Sequence, residues 1–129
     1  MPRARRMSNG QDSNGEDSDR LLEIVLAALD DMKGVDVRVI DVRDLTSITD
    51  RMVIVSGTST RHVKALAENV ALQAKQHGYK PLGIEGENAA EWVLVDLADV
   101  VVHVMMPEIR DFYALEKLWS VGGRSNASA

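Results

Sequence analysis

Residues 91–105 read EWVLVDLADVVVHVM, two apolar segments separated by Leu97-Ala98. Side chains alternate across a strand, so Trp92, Leu94 and Asp96 share one face while Val93, Val95 and Leu97 share the other. The all-aliphatic face belongs inward. Strands over Glu91–Leu97 and Asp99–Met105 form an antiparallel hairpin. A two-residue connection would set Trp92 opposite His103, Leu94 opposite Val101 and Asp96 opposite Asp99. One face then carries Trp92 beside His103, either as part of a contact surface or as a tryptophan closing the core edge over a satisfied histidine.

Working outward, Pro107 suits the first turn of a last helix running to about Trp119. Before the hairpin, Lys80–Glu85 is extended and Gly86–Ala90 is a turn. Val63, Leu66, Ala67, Val70 and Ala74 form one stripe of a long helix, capped by Thr58 or Ser59 and ended by Gly78. Arg51–Gly57 (RMVIVSG) is apolar on both faces, as an interior strand must be. Val35–Val42 (VDVRVIDV) alternates and is rich in β-branched residues. Leu22, Val25, Leu26, Leu29 and Met32 recur at helical spacing and precede Gly34. The order αββαβββα predicts an α/β (α+β) domain, a single mixed sheet of about five strands with helices packed on it.

The chain has 129 residues, enough for one domain. Its net charge of −5 speaks against a general or sequence-specific nucleic-acid binder, which needs a basic face. Arg3, Arg5, Arg6 and Arg20 balance Asp12, Glu16, Asp17 and Asp19, so the acidic excess falls on the remainder of the chain. No cysteine occurs, which excludes disulfides, thiolate metal sites and cysteine nucleophiles. Met1–Met7 is basic, but the following Ser8–Asp19 (SNGQDSNGEDSD) contains no apolar residue and is no leader. The expected division is a disordered tail over 1–17, a domain over 18–120 and a flexible tail over 121–129. No apolar run approaches the roughly 20 residues of a membrane span, and a cytoplasmic location is the default.

On the last helix, Ile109, Phe112, Tyr113, Leu115, Leu118 and Trp119 spread over an arc of roughly 220°, where a surface helix needs little more than about 100°. The surplus suits a partner surface, since Trp and Tyr are enriched at interface hot spots. Core filling by aromatics is the alternative. Glu116 falls between Ile109, Phe112 and Tyr113 on this wheel, where a carboxylate needs a hydrogen bond from His103, Arg110 or a partner, or must reach solvent. Gly57-Thr58-Ser59 joins a strand to a helix N-terminus, a candidate anion site with Ser59 and Arg61, or simply a capped helix with a solvated charged face. No metal-ligand spacing and no GxGxxG, Walker or G-x-S-x-G motif is present, so nothing compels catalysis, a metal or a cofactor.

The order Asp50, Val53-Ile54-Val55, Ser56-Gly57-Thr58-Ser59, Arg61, Glu85-Gly86, Trp92, Asp96, Val101-Val102-His103-Val104, Arg110 and Tyr113-Ala114-Leu115-Glu116-Lys117-Leu118-Trp119 closely resembles the ribosomal silencing factor (Iojap) family. The resemblance spans about 20–119. It implies a nucleotidyltransferase-like fold without the activity, because Lys80–Glu87 (KPLGIEGE) lacks the paired carboxylates that hold Mg²⁺ in such enzymes. It implies a non-enzymatic factor that binds the large ribosomal subunit through ribosomal protein L-fourteen and obstructs joining of the small subunit when nutrients are short. It also implies a homodimer. The family's contact residues correspond to Trp92, Asp96 and Tyr113, and His103, Arg110, Glu116 and Trp119 complete the candidate partner surface. The chain departs from the family pattern at Arg51-Met52 and Ala89-Ala90. A nucleotide-binding or nucleotidyl-transferring enzyme using the Gly57–Lys64 turn is the alternative.

Overall fold

The computed structural model describes residues 11–114 and Lys117, and within them all side chains except those of 11–16, 112 and 113. Eight elements follow in the expected order: α1 (Gln11–Asp31), β1 (Val35–Asp41), β2 (Arg51–Ser56), α2 (Thr60–Gln76), β3 (Gly83–Glu85), β4 (Trp92–Asp96), β5 (Val100–Met105) and α3 (Pro107–Tyr113). The strands form one sheet in the order β1-β2-β5-β4-β3. Only β2 and β5 pair in parallel, and the other neighbours are antiparallel. A parallel pair cannot be joined by a tight turn, so α2, β3 and β4 lie between its strands in sequence.

One face of the sheet lies against α1 and α2. Val53, Val55, Val93, Val95, Val102 and Val104 point to it and are fully buried against the stripe Val63, Leu66, Ala67, Val70 and Ala74 of α2. The buried stripe of α1 is Leu21, Val25, Ala28 and Leu29. It is rotated from the one expected: Leu22 and Leu26 only flank the core, and Met32 is 37% exposed. The rotation also buries Ser18, on the same helical face as Leu21 and Val25.

α1 covers Gln11–Asp31, so the boundary expected after residue 17 falls inside a helix. Tyr79 Oη donates to Asp17 Oδ1 at 3.1 Å and Arg51 Nη2 donates to Asp19 Oδ1 at 3.0 Å, fixing this half of the helix to the domain. Residues 1–10 and 121–129 lie outside the described residues.

β1 is an edge strand with every residue but Ile40 exposed. A bulge between Val35 and Arg38, with Asp36 at φ 53°, interrupts its register. Bulges and charges such as Asp36, Arg38 and Asp41 blunt an edge against pairing with other chains.

The hairpin register differs from the expected one by two residues. Trp92 pairs with Met105, Leu94 with His103 and Asp96 with Val101. The turn is wider than Leu97-Ala98 because Leu97 N–H donates to the Val100 carbonyl, Asp96 Oδ1 accepts from Ala98 N–H at 2.9 Å, and Ala98 takes a left-handed φ of 72°. An even shift leaves every side chain on its expected face.

Candidate functional site

The registers of β4, β5, β2 and β1 lay out the second face of the sheet as three rows. Trp92, Met105, Ser56 and Val35 form one, Leu94, His103, Ile54 and Arg38 the next, and Asp96, Val101, Met52 and Ile40 the third. Among the described residues no long helix covers this face. A small cluster of Val42, Met52, Ile54 and Met105 is buried there beneath Ile40, Leu45, Trp92 and Ile109, while Leu94, Asp96 and Val101 are half-buried.

Trp92 and His103 lie on adjacent strands one row apart, diagonal rather than opposite. Trp92 Nε1–H donates to His103 Nδ1 at 3.0 Å, with ring centroids 6.0 Å apart and planes tilted by 50°. Accepting at Nδ1 leaves the proton of the neutral ring on Nε2. His103 is flanked by Leu94 and Ile54 and is 7% exposed. Burial pushes its imidazole down to about 4, so it is uncharged at neutral pH.

The start of β4 is held from behind. A Cβ on Gly86, whose φ is 90°, would lie 2.3 Å from the Trp92 carbonyl oxygen, so only glycine lets the preceding turn approach the backbone of Trp92 this closely. Asp96, at the other end of β4, uses Oδ1 to close the hairpin turn. Its carboxylate therefore has a structural task whatever else it contacts.

Arg110 lies on α3, 9% exposed, and its Nη1 donates to Ser56 Oγ at 2.9 Å. That bond fixes α3 to the row that begins with Trp92. Arg110, Ser56, Pro107 and Asp111 face Asp36, Val37 and Arg38 of β1 across an open groove of about 510 Å³. Tyr113 is the last residue of α3. Ala114 takes a left-handed conformation, φ 51° and ψ 47°, and caps the helix by donating its N–H to the Arg110 carbonyl. An unbroken helix to Trp119 is thus not formed. The wheel positions assigned to Glu116 and Trp119 do not carry across Ala114, and both residues lie outside the described ones.

The Gly57 turn forms a different arrangement. Ser59 is the N-cap of α2, its Oγ accepting from His62 N–H at 3.1 Å. Gly57 N–H donates to the Met105 carbonyl, and Thr58 N–H donates to His62 Nδ1 at 2.9 Å. His62 Nε2 in turn lies 2.7 Å from the Met32 carbonyl, joining the end of α1 to the start of α2. Arg61 is exposed. The donors that would cradle a phosphate at Gly57, Thr58 and His62 are already engaged within the chain, which favours the capped-helix reading of this turn. Ser56 and Gly86 hold the site from below and behind, and their motif positions beside Gly57 and Glu85 are the sequence signal that marks them.

The chain matches the family described as ribosomal silencing factor during starvation over residues 15–128. It belongs to that family. It is 45% identical over 100 residues to the ribosomal silencing factor RsfS of Haemophilus influenzae, covering 78% of this chain and 98% of that one. It is 46% identical over 107 residues to the RsfS of Chromobacterium violaceum, covering 83% and 86%. A crystal structure of a Chromobacterium violaceum protein superposes with a TM-score of 0.78 at 44% identity, covering 85% of this chain and 89% of that one. The relatives named are ribosomal silencing factors, and the mixed five-stranded sheet described above matches the fold of the Chromobacterium violaceum structure. Among the described residues no helix is long and apolar enough to cross a membrane.

Proposed function

We propose that this silencing-factor family member binds the large ribosomal subunit through ribosomal protein L-fourteen, obstructs joining of the small subunit under nutrient limitation, and does so without catalysis, cofactor or metal. The sheet face bearing Trp92 carries this reading. Among the described residues it carries a small apolar cluster and no long covering helix, and it presents a half-buried tryptophan, hydrogen-bonded to His103, at its rim. Such aromatic anchors supply most of the free energy of protein interfaces. Asp96 and Tyr113, with Arg110, Glu116 and Trp119 around them, complete the proposed surface. A chain with a net charge of −5 also suits a basic ribosomal protein, chiefly through on-rate and orientation. A homodimer in the cytoplasm is the proposed free state.

Co-sedimentation with separated ribosomal subunits at near-physiological salt tests this. The wild-type protein is expected to pellet with the large subunit alone. Trp92→Ala and Tyr113→Ala should each lose about 2 kcal/mol or more of affinity while circular dichroism reports a folded chain. A folded wild-type protein that stays in the supernatant, or that pellets equally with both subunits, would overturn the reading.

A further inference from the structure

Resting on the reading of the Trp92 face as the ribosome contact, we infer that His103 is a positioning residue, whose Nδ1 holds the Trp92 indole in the orientation that docks. Three observations lead there. His103 is 7% exposed and so offers a partner little surface of its own. Its Nδ1 accepts the Trp92 indole N–H at 3.0 Å, and the two rings lie 6.0 Å apart between centroids. Trp92 itself is half-buried on the first row of the sheet face, above Met105 and next to the row of Leu94, His103 and Ile54.

The physical argument concerns order before binding. Immobilising a tryptophan side chain at an interface consumes part of the binding free energy. A hydrogen bond from a residue packed between Leu94 and Ile54 fixes the indole beforehand, because the histidine ring cannot move without disturbing neighbours on both strands. The bond needs an unprotonated Nδ1, and the apolar surroundings that keep His103 neutral supply it. His103 therefore acts through Trp92 rather than on the partner. Simple space filling by an imidazole would produce none of this coupling.

The test compares His103→Leu, which fills the space without an acceptor, with His103→Asn, whose amide oxygen replaces Nδ1 as acceptor. Each is made alone and in a Trp92→Ala background, and large-subunit affinity is measured by co-sedimentation. His103→Leu is expected to weaken binding about five- to tenfold, the loss of one oriented hydrogen bond, and His103→Asn to recover most of it. In the Trp92→Ala background His103→Leu should have no further effect. Equal losses in the leucine and asparagine variants, or an undiminished loss in the Trp92→Ala background, would overturn the inference. A ¹⁵N spectrum of the free protein provides a readout independent of the ribosome. The His103 ring should carry its proton on Nε2, and the Trp92 indole resonance, identified by its absence in Trp92→Phe, should shift in His103→Leu and return toward its wild-type position in His103→Asn. A proton on Nδ1, or an indole signal indifferent to His103, refutes the positioning bond. Failure of the wild-type protein to pellet while the indole responds as expected refutes the ribosome contact instead.

Discussion

The two faces of the sheet are built from different materials. The face under α1 and α2 is nearly all valine, with Val53, Val55, Val93, Val95, Val102 and Val104 showing no exposed surface. The opposite face mixes two methionines, an isoleucine and a serine with the hydrogen-bonded Trp92 and His103, and its margin at Leu94, Asp96 and Val101 remains half-buried. The first face is filled by apolar area, which is non-directional, with directed bonds such as Tyr79 to Asp17 and His62 to the Met32 carbonyl only at the ends of its helices. The second is specified by directed bonds: Trp92 to His103, Arg110 to Ser56, and Asp96 to the turn at Ala98. Stability is concentrated on one side and orientation on the other.

A truncation on the covered side breaks the comparison hardest. Leu66 has no exposed surface and packs within the stripe of α2, so Leu66→Ala should cost about 2–5 kcal/mol in chemical denaturation. The folded fraction should still bind the large subunit with wild-type affinity. A binding defect in folded Leu66→Ala would erase the distinction between the faces.

On the other side, His103 makes stability depend on pH. Its folded pKa of about 4 lies below the ordinary imidazole value of 6.5, so between these pH values the unfolded chain binds a proton that the folded chain does not. The stabilisation is full above about pH 6.5 and is lost as the pH falls toward 4, for a total of about 3 kcal/mol. Carboxylates such as Asp41, whose pKa is lowered chiefly by its hydrogen bond from the Arg43 side chain, lose their contribution at still lower pH. Denaturation midpoints of wild type and His103→Asn compared across this window isolate the histidine. Parallel curves would mean that His103 is solvated.

The same division explains what could be read in advance. Periodicity reports burial, and it located the α2 stripe residue by residue, the alternation of the hairpin and the interior character of β2. It could not count the hairpin turn. That count depends on one side-chain to backbone bond from Asp96 and on a left-handed alanine, neither of which has a period. The Trp92–His103 pairing is legible all the same, because a two-residue shift preserves faces and a diagonal neighbour is still within reach of an aromatic side chain. The phase of the α1 stripe is not legible in the sequence, because Leu21, Leu22, Val25 and Leu26 fit two overlapping helical faces and only packing against α2 and the sheet chooses between them. The break after Tyr113 was hidden for a similar reason. Ala114 is an excellent helix former, and nothing in its composition signals a left-handed cap.

Two left-handed alanines supply the smallest and sharpest prediction. Ala98, φ 72°, sits half-exposed in the hairpin turn, whereas Ala90, φ 58°, is 5% exposed and packs in the helix-side core. Glycine relieves the steric cost of a left-handed backbone at both, roughly 1 kcal/mol or more, against a gain in unfolded-chain entropy of about 0.4–1 kcal/mol. At Ala98 little else changes, so Ala98→Gly should stabilise by a few tenths of a kcal/mol. At Ala90 the substitution also removes a buried methyl worth about 0.8 kcal/mol, and Ala90→Gly should be neutral or destabilising. The backbones are alike, and burial alone sets the sign. Thermal melts of the two variants decide it: equal shifts would show that the Ala90 methyl contributes nothing to the core, while opposite shifts would show that even at the two ends of one strand, β4, the covered side is held by area and the open end by geometry.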